Sequence, residues 1–465
     1  VKVLIQSFTD AEGTYSFGGY IRAFQFKQNR DAMVHTLVSS VSAAAIATVI
    51  GFIFAYCACY IKMRAKKFFN VIAILPIISP PFSVSLSIIL LFGNKGLITH
   101  TLLGMASNNI YGFGGLLFAQ VFSFFPMAYL LLNGVLSTID PSIEEAARDM
   151  GASRLKTFCK VTIPLSLPGI INAFLLVFIK CVADFGNPIT IAGGYNTLAT
   201  QVYYQAVGGY ELQRCTALAM LLLVMTMVIY LLSQLVLEKR TFVTITGKAT
   251  RERTMIEEKH ITVPLTVICC VFAVIVGIIY IMIPVVSFIK LWGVNYSLTF
   301  DNYIQAWKIA KQALVDTLKL AVITTPVTGV IAMLMAFLIV RKKNPLSKFM
   351  EASGMVGMII PGTILGYAYV LLFNQKPLYL TGTFLILIAS CCSRYLPVGL
   401  QSGITSLRQI DPSIEESASD LGANSLQVFT KVTLPLIKSS FFGGLVYTFV
   451  RTMTSMSALI FPISA

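Results

Sequence analysis

The chain has 465 residues, 56% of them hydrophobic and only 12% charged, with a mean hydropathy of +0.79. Soluble domains carry about 25% charged residues, so a soluble globular protein is excluded, and the length has room for many spans of about 20 apolar residues each. The formal charge of +15 does not mark a nucleic-acid partner, because the basic residues gather in short loops between apolar runs, as in Lys62, Arg64, Lys66 and Lys67 or Arg341, Lys342, Lys343 and Lys348. That is the signature of cytoplasmic loops.

Residues 1–32 are polar, with Tyr15, Tyr20 and Phe24 interspersed, and apolar runs at about 34–61, 71–92 and 113–136 then predict three spans. A polar stretch from Asp140 to Leu165 follows, then a span at about 165–185, a polar segment rich in Gly and Tyr at 186–214, and a span ending at Leu237. Lys239, Arg240, Lys248, Arg251, Arg253 and Lys259 form a basic linker, which divides the chain into 1–240, 241–261 and 262–465. The second part opens with an apolar run at about 263–289 that has no counterpart before residue 34.

After that run the chain repeats itself. Tyr296 to Trp307 echoes Tyr15 to Phe24, and Thr317-Leu318 matches Thr36-Leu37 at an offset of 281 positions. Ten extra residues between Phe92 and Pro126 reduce the offset to 271, the distance from Pro126 to Pro397. The expected fold is therefore an all-α, polytopic transmembrane helical bundle of two tandem parallel repeats, related by an axis along the membrane normal. In this register the first copy lacks its opening span and the second its closing span. Ten spans of an expected twelve are then present, with residues missing at both ends.

The polar stretch is the part most closely repeated. Asp140 to Leu165 and Asp411 to Leu436 are identical at 17 of 26 positions. Asp140 is a good N-cap, Pro141 suits the first helical position, and Glu144 and Glu145 place acid where the helix dipole favours it. Ile143, Ala146, Ala147 and Met150 form one apolar stripe. Gly151 supplies a left-handed residue that stops the helix, and Ser153 caps a second short helix carrying Leu155, Phe158 and Thr162 on one side. The second copy repeats this with Asp411, Pro412, Glu415, Glu416, Gly422, Phe429 and Pro435. Isolated helices below about 12 residues are marginal in water, so both need something to dock on.

The pattern Glu-Ala-Ala, three residues, Gly, nine residues, Ile-x-Leu-Pro resembles the EAA loop of ABC importer permeases. The first copy reads Glu145-Ala146-Ala147, Gly151 and Val161-Thr162-Ile163-Pro164; the second reads Glu416-Ser417-Ala418, Gly422 and Val432-Thr433-Leu434-Pro435. The departures, Val for Ile in both copies, Ile163 for Leu and Ser417 for Ala, are small. The resemblance implies both permease domains of a binding-protein-dependent importer fused in one polypeptide of a bacterial inner membrane. It implies as partners two copies of a cytoplasmic ATPase, which hydrolyses ATP with Mg, and a periplasmic substrate-binding protein. The coupling residues it implies are Asp140, Glu144, Glu145, Ala146, Ala147, Gly151 and Phe158, with Asp411, Glu415, Glu416, Ala418, Gly422 and Phe429.

No phosphate-cradling loop is present, since Gly247-Lys248-Ala249 lacks the other residues of a P-loop, so ATP energy has to come from a partner and no enzyme activity is expected of the chain. Cysteines such as Cys57, Cys59, Cys181, Cys269 and Cys391 read as small core residues, and His35, His100 and His260 are scattered, so no metal site is expected. Charges in spans are functional by default. Lys180 and Asp184 are four apart and can pair near the outer interface, and Lys180 aligns with Arg451, a candidate cationic pair on a translocation path. Acids deep in the spans are nearly absent, which weighs against an ion-coupled carrier. Ala183 to Ile189, Gly193 to Asn196 and Leu198 to Gln201, with Thr452 to Phe461 in the second copy, resemble the fused ferric-iron permeases; related permeases serve polyamines, thiamine or aminophosphonates.

Overall fold

The computed structural model describes residues 2–9, 13–63, 65–208, 212–239, 254–341 and 345–464. Arg64, Arg240, Gly247, Lys248, Ala249, Arg251, Arg253, Lys342 and Lys343 lie outside them. In chain order the first helices are α1 (Lys2–Ser7), α2 (Gly18–Gln25), α3 (Lys27–Tyr60), α4 (Lys66–Ile78), α5 (Pro81–Phe92), α6 (Phe113–Thr138), α7 (Pro141–Asp149) and α8 (Arg154–Thr157). They continue as α9 (Ile163–Val182), α10 (Gly186–Ile191), α11 (Leu198–Val207), α12 (Leu212–Lys239) and α13 (Lys259–Ser287). The later helices are α14 (Asp301–Arg341), α15 (Ser347–Ile359), α16 (Gly362–Phe373), α17 (Phe384–Gln409), α18 (Pro412–Asp420), α19 (Ser425–Val428), α20 (Leu434–Leu436), α21 (Lys438–Met453) and α22 (Ile460–Ser464).

Among the described residues, eight helices are long and apolar enough to cross a bilayer, and two bent pairs raise the number to ten if each pair is one span. The helices obey the sequence register closely. α4 and α5 recur as α15 and α16 exactly 281 positions on, and α6 and α7 recur as α17 and α18 after 271. The single span expected at 71–92 is two helices, because Pro80 and Pro81 offer no N–H and hold Ser79 and Pro80 extended. Its counterpart, α15 and α16, bends by 113° at Ile360-Pro361. The polar segment after α9 also proves helical, as α10 and α11.

Packing gathers the chain into two compact units, Tyr20–Gln201 with Val224–Tyr303, and Val1–Gly19 with Val202–Leu223 and Ile304–Ala465. In the first unit α3, α6 and α9 pack on one another, and α13 lies along α3, α4 and α5. Lipid is as apolar as leucine, so helices in a bilayer associate through close van der Waals contact at small residues. Accordingly α3 buries Ala43, Ala44, Ala47 and Ala55. A side chain on Gly51 would come within 2.7 Å of Ala128 on α6. Phe272 of α13 fills the remaining space against Phe54, Phe122 and Phe125, with ring centroids 4.6–5.8 Å apart.

In the second unit α15 and α21 pack on α17, around Ala332, Met333, Ala336, Leu400, Ile404 and Leu407. α1 falls in the register of the end of α13, and it lies against α16 as α13 lies against α5.

Candidate functional site

Each of the two repeated polar stretches folds as helix, tight turn and helix, directed by its own residues. Asp140 Oδ1 accepts the Ser142 N–H at 2.9 Å, and Asp411 Oδ1 accepts the Ser413 N–H at 3.0 Å. That backbone bond holds the Asp411 carboxyl below the usual carboxylate range. The helices end in the same way. Gly151 and Gly422 adopt φ of +87° and +89°. Ala152 N–H then reaches back to Ala147 O at 3.1 Å and Gly151 N–H to Arg148 O at 2.8 Å. Ala423 to Ala418 and Gly422 to Ser419 repeat these bonds at 3.1 and 2.9 Å. This pairing of bonds around a left-handed glycine is a Schellman motif.

The two acids at the start of each helix have different surroundings. Glu144 is 7% exposed, and its Oε1 accepts the Tyr60 hydroxyl at 2.9 Å and the Thr162 hydroxyl at 2.6 Å. Glu415 is 9% exposed; its Oε1 accepts the Thr433 hydroxyl at 2.8 Å, and its Oε2 stands 2.7 Å from Arg341 Nε. Tyr60 ends α3 and Arg341 ends α14, at the same register position. Each loop is thus pinned by one buried acid to the end of a long helix. Glu145 is half-buried and accepts the Thr254 hydroxyl at 3.3 Å, whereas Glu416 is exposed.

The expected apolar stripe is divided by this anchoring. Ala147 turns inward, while Ala146, Ile143 and Met150 are exposed, Met150 by 83%. On the second loop Ile414 and Leu421 are exposed, and Ala418 is half-buried. Leu155, expected on one side with Phe158 and Thr162, is 72% exposed while Thr162 is buried. The cause is a π-helical turn at Phe158–Thr162, repeated at Phe429–Thr433, which shifts the helical phase ahead of Pro164 and Pro435. Phe158 packs edge-on against Tyr56 at 5.1 Å, and Phe429 against Phe337 at 5.1 Å.

Of the residues considered for a path, Lys180 and Arg451 stand in the last turns of α9 and α21. Arg451 lies over the Tyr447 ring, 5.7 Å from its centroid. Asp184 is buried. It accepts Asn187 Nδ2 at 2.9 Å, the Asn187 backbone N–H at 3.3 Å and Gln120 Nε2 at 3.3 Å. Ser85 donates to Asn187 Oδ1 at 2.7 Å, which ties α5 to α10.

Residues 47–243 and 328–464 match the sequence pattern of the binding-protein-dependent transport system inner membrane component family. The two matched segments each contain one of the anchored loops. The chain belongs to this family. Among similar permeases, the putative ferric transport system permease protein FbpB 1 of Haemophilus influenzae is 36% identical over 90% of this chain and 68% of its own length. The ferric transport system permease protein FbpB of Actinobacillus pleuropneumoniae is 34% identical over 90% of this chain and 63% of its own. The spermidine/putrescine transport system permease protein PotC of Escherichia coli K12 is 26% identical over 52% of this chain and 89% of its own. The chain is thus a multi-pass membrane transport subunit rather than an enzyme.

Reading the sequence singled out the acids, caps and turn glycines of this permease but missed Tyr60, Thr162, Arg341 and Thr433, which hold them. The threonines carried a signal, since Lys-Val-Thr occurs in both copies. Tyr60 and Arg341 carried none, because aligned positions of different type do not announce a shared task.

Proposed function

We propose that this chain is the fused permease subunit of an ATP-driven importer, with 1–240 and 262–465 as its two permease repeats and 241–261 as their cytoplasmic linker. In this reading α7–α8 and α18–α19 are the levers on which two copies of a separate ATPase act, and a periplasmic binding protein delivers cargo across the inner membrane. One observation carries it. On each loop the acid is turned inward and fastened, while Met150, Leu155 and Leu421 are left 72–90% exposed on helices too short to stand alone. Exposed apolar side chains on an anchored water-side element suit a partner protein's groove. The ATPase hydrolyses ATP with Mg and pushes through Glu144 and Glu415 on α3 and α14, and the path opens and closes in response. Lys180, Asp184 and Arg451 are the candidates for residues near that path.

Ferric iron leads as cargo, because the two ferric permeases above match nine-tenths of this chain. Uptake of labelled ferric iron is to be compared with uptake of polyamine and aminophosphonate in cells carrying the complete system. Iron uptake alone is the expected result, and uptake of another solute in its place removes the iron reading. Gly151→Pro combined with Gly422→Pro should abolish uptake while the protein stays in the membrane. Unchanged uptake in that variant removes the lever assignment.

A further inference from the structure

The first loop has a second attachment, made by residues that belong to neither helix of the loop. Within the linker, the segment Thr254–Glu258 runs beside the end of α3. The Ile256 N–H donates to Tyr60 O at 2.8 Å, the Lys62 N–H donates to Ile256 O at 3.2 Å, and the Ile256 side chain is buried. The side chains on either side add polar contacts. Thr254 donates to Glu145, as described, and Lys62 Nζ meets Glu257 Oε1 at 2.8 Å. Arg154 of α8 places both Nε and Nη2 2.7 Å from Glu258 Oε1. Both nitrogens meet the same carboxylate oxygen, and the Nε–H···Oε1 bond is charge-assisted, stronger than a bond between neutral groups.

Glu258 is also where α13 begins. Its carbonyl accepts the N–H groups of Ile261 and Thr262 at 3.0 and 2.9 Å, so a pull on its side chain is a pull on the first turn of the helix. α13 is in turn held along α3, α4 and α5, with Phe272 wedged among three phenylalanines. Its own backbone N–H first, and then the Arg154 guanidinium and His260, hold the Glu258 carboxyl below its usual range against the opposing effect of burial. The second loop has Ser425 at the position of Arg154, so it lacks the cation for such a bond.

We propose that Thr254–Glu258 is a second transmission link, through which Arg154 passes movement of the first loop directly to α13. Glu144 carries the movement of the first loop to α3 and α9, and Arg154 carries it to the helix that opens the second repeat. The second loop transmits through Glu415. Arg154 and Glu258 are positioning residues in this scheme. The inference rests on the lever reading above.

The test is a charge exchange in the complete complex of permease, ATPase and binding protein in proteoliposomes, read as ferric iron taken up per ATP hydrolysed, with iron supplied as ferric citrate. Arg154→Glu and Glu258→Arg should each lower that ratio by about fivefold, the size a half-exposed charged pair supports. The double exchange should restore most of it, and the ATPase should stay bound in all three. Single exchanges that keep the wild-type ratio, or a double no better than the singles, overturn the link.

Gly151→Pro with Gly422→Pro runs alongside. If it transports normally, the lever reading falls; if it is inactive while Arg154→Glu keeps the wild-type ratio, the link alone falls. Should the reversals not accumulate in the membrane, Arg154→Gln and Glu258→Gln remove the pair without repulsion and give the same readout. If wild-type vesicles take up no iron, the same pattern of loss and restoration in ATP hydrolysis by the complex decides for or against the link.

Discussion

The two loops share a backbone and differ in what fastens it. Caps, Schellman turns and π-helical turns coincide position by position, down to φ values of +87° and +89° at the two glycines. Yet the group that reaches the acid from the end of the long helix is the Tyr60 hydroxyl for Glu144 and the Arg341 guanidinium for Glu415. The duplicated element therefore requires a buried acid and a donor at the end of the long helix, and leaves the chemistry of that donor open. Charged and neutral donors respond differently to loss, so the two loops should fail differently.

The largest difference is expected at Arg341. Removing one member of a buried ion pair leaves the other desolvated, at a cost of about 3–5 kcal/mol. Arg341→Leu should therefore lower the thermal midpoint of the detergent-solubilised protein and abolish transport, and a melting curve unchanged from wild type would break the comparison. Tyr60→Phe keeps the ring stacked on Tyr56, with centroids 4.5 Å apart, and deletes only the hydroxyl. A hydrogen bond to a charged group contributes about 1.5–3 kcal/mol, so this variant should be milder than Arg341→Leu in the same melt. Tyr60→Arg sharpens the comparison further. It gives the first loop the second loop's anchor and should retain transport, whereas a loss as large as that of Arg341→Leu would mean that the two anchors are not equivalent.

Much of this was legible in the sequence, for local reasons. Helix caps, a left-handed glycine and helix-starting acids act within a few residues of themselves, so Asp140, Gly151 and Glu144 disclose their roles in order along the chain. The repeat register placed the second polar stretch, Asp411 to Leu436, from the first. What the sequence withheld is longer in range or depends on phase. Tyr60 lies 84 positions from Glu144 and Glu258 lies 104 from Arg154, and no periodicity spans such distances. Leu155 was misplaced because a π-helical turn takes up an extra residue that a 3.6-residue period does not include. The surroundings of Asp184 depend on α10, whose Asn187 offers it a side-chain amide and a backbone N–H.

The smallest effect tests what the loops share. A residue with a Cβ in the left-handed region costs about 1–2 kcal/mol relative to its favoured conformation. A Cβ built on Gly151 or Gly422 meets nothing within 4 Å, so Gly151→Ala and Gly422→Ala pay in backbone conformation and not in collision. Each should cost about 1 kcal/mol, and the two costs should agree within the error of the melt. Asn tolerates the left-handed region better than Ala, so Gly151→Asn and Gly422→Asn should lie closer to wild type, again in step. Equal losses at the glycines beside unequal losses at Tyr60 and Arg341 would locate the asymmetry in the anchors. Unequal losses at the glycines would place it in the turns themselves, and one loop would then be the stiffer lever before any partner touches it.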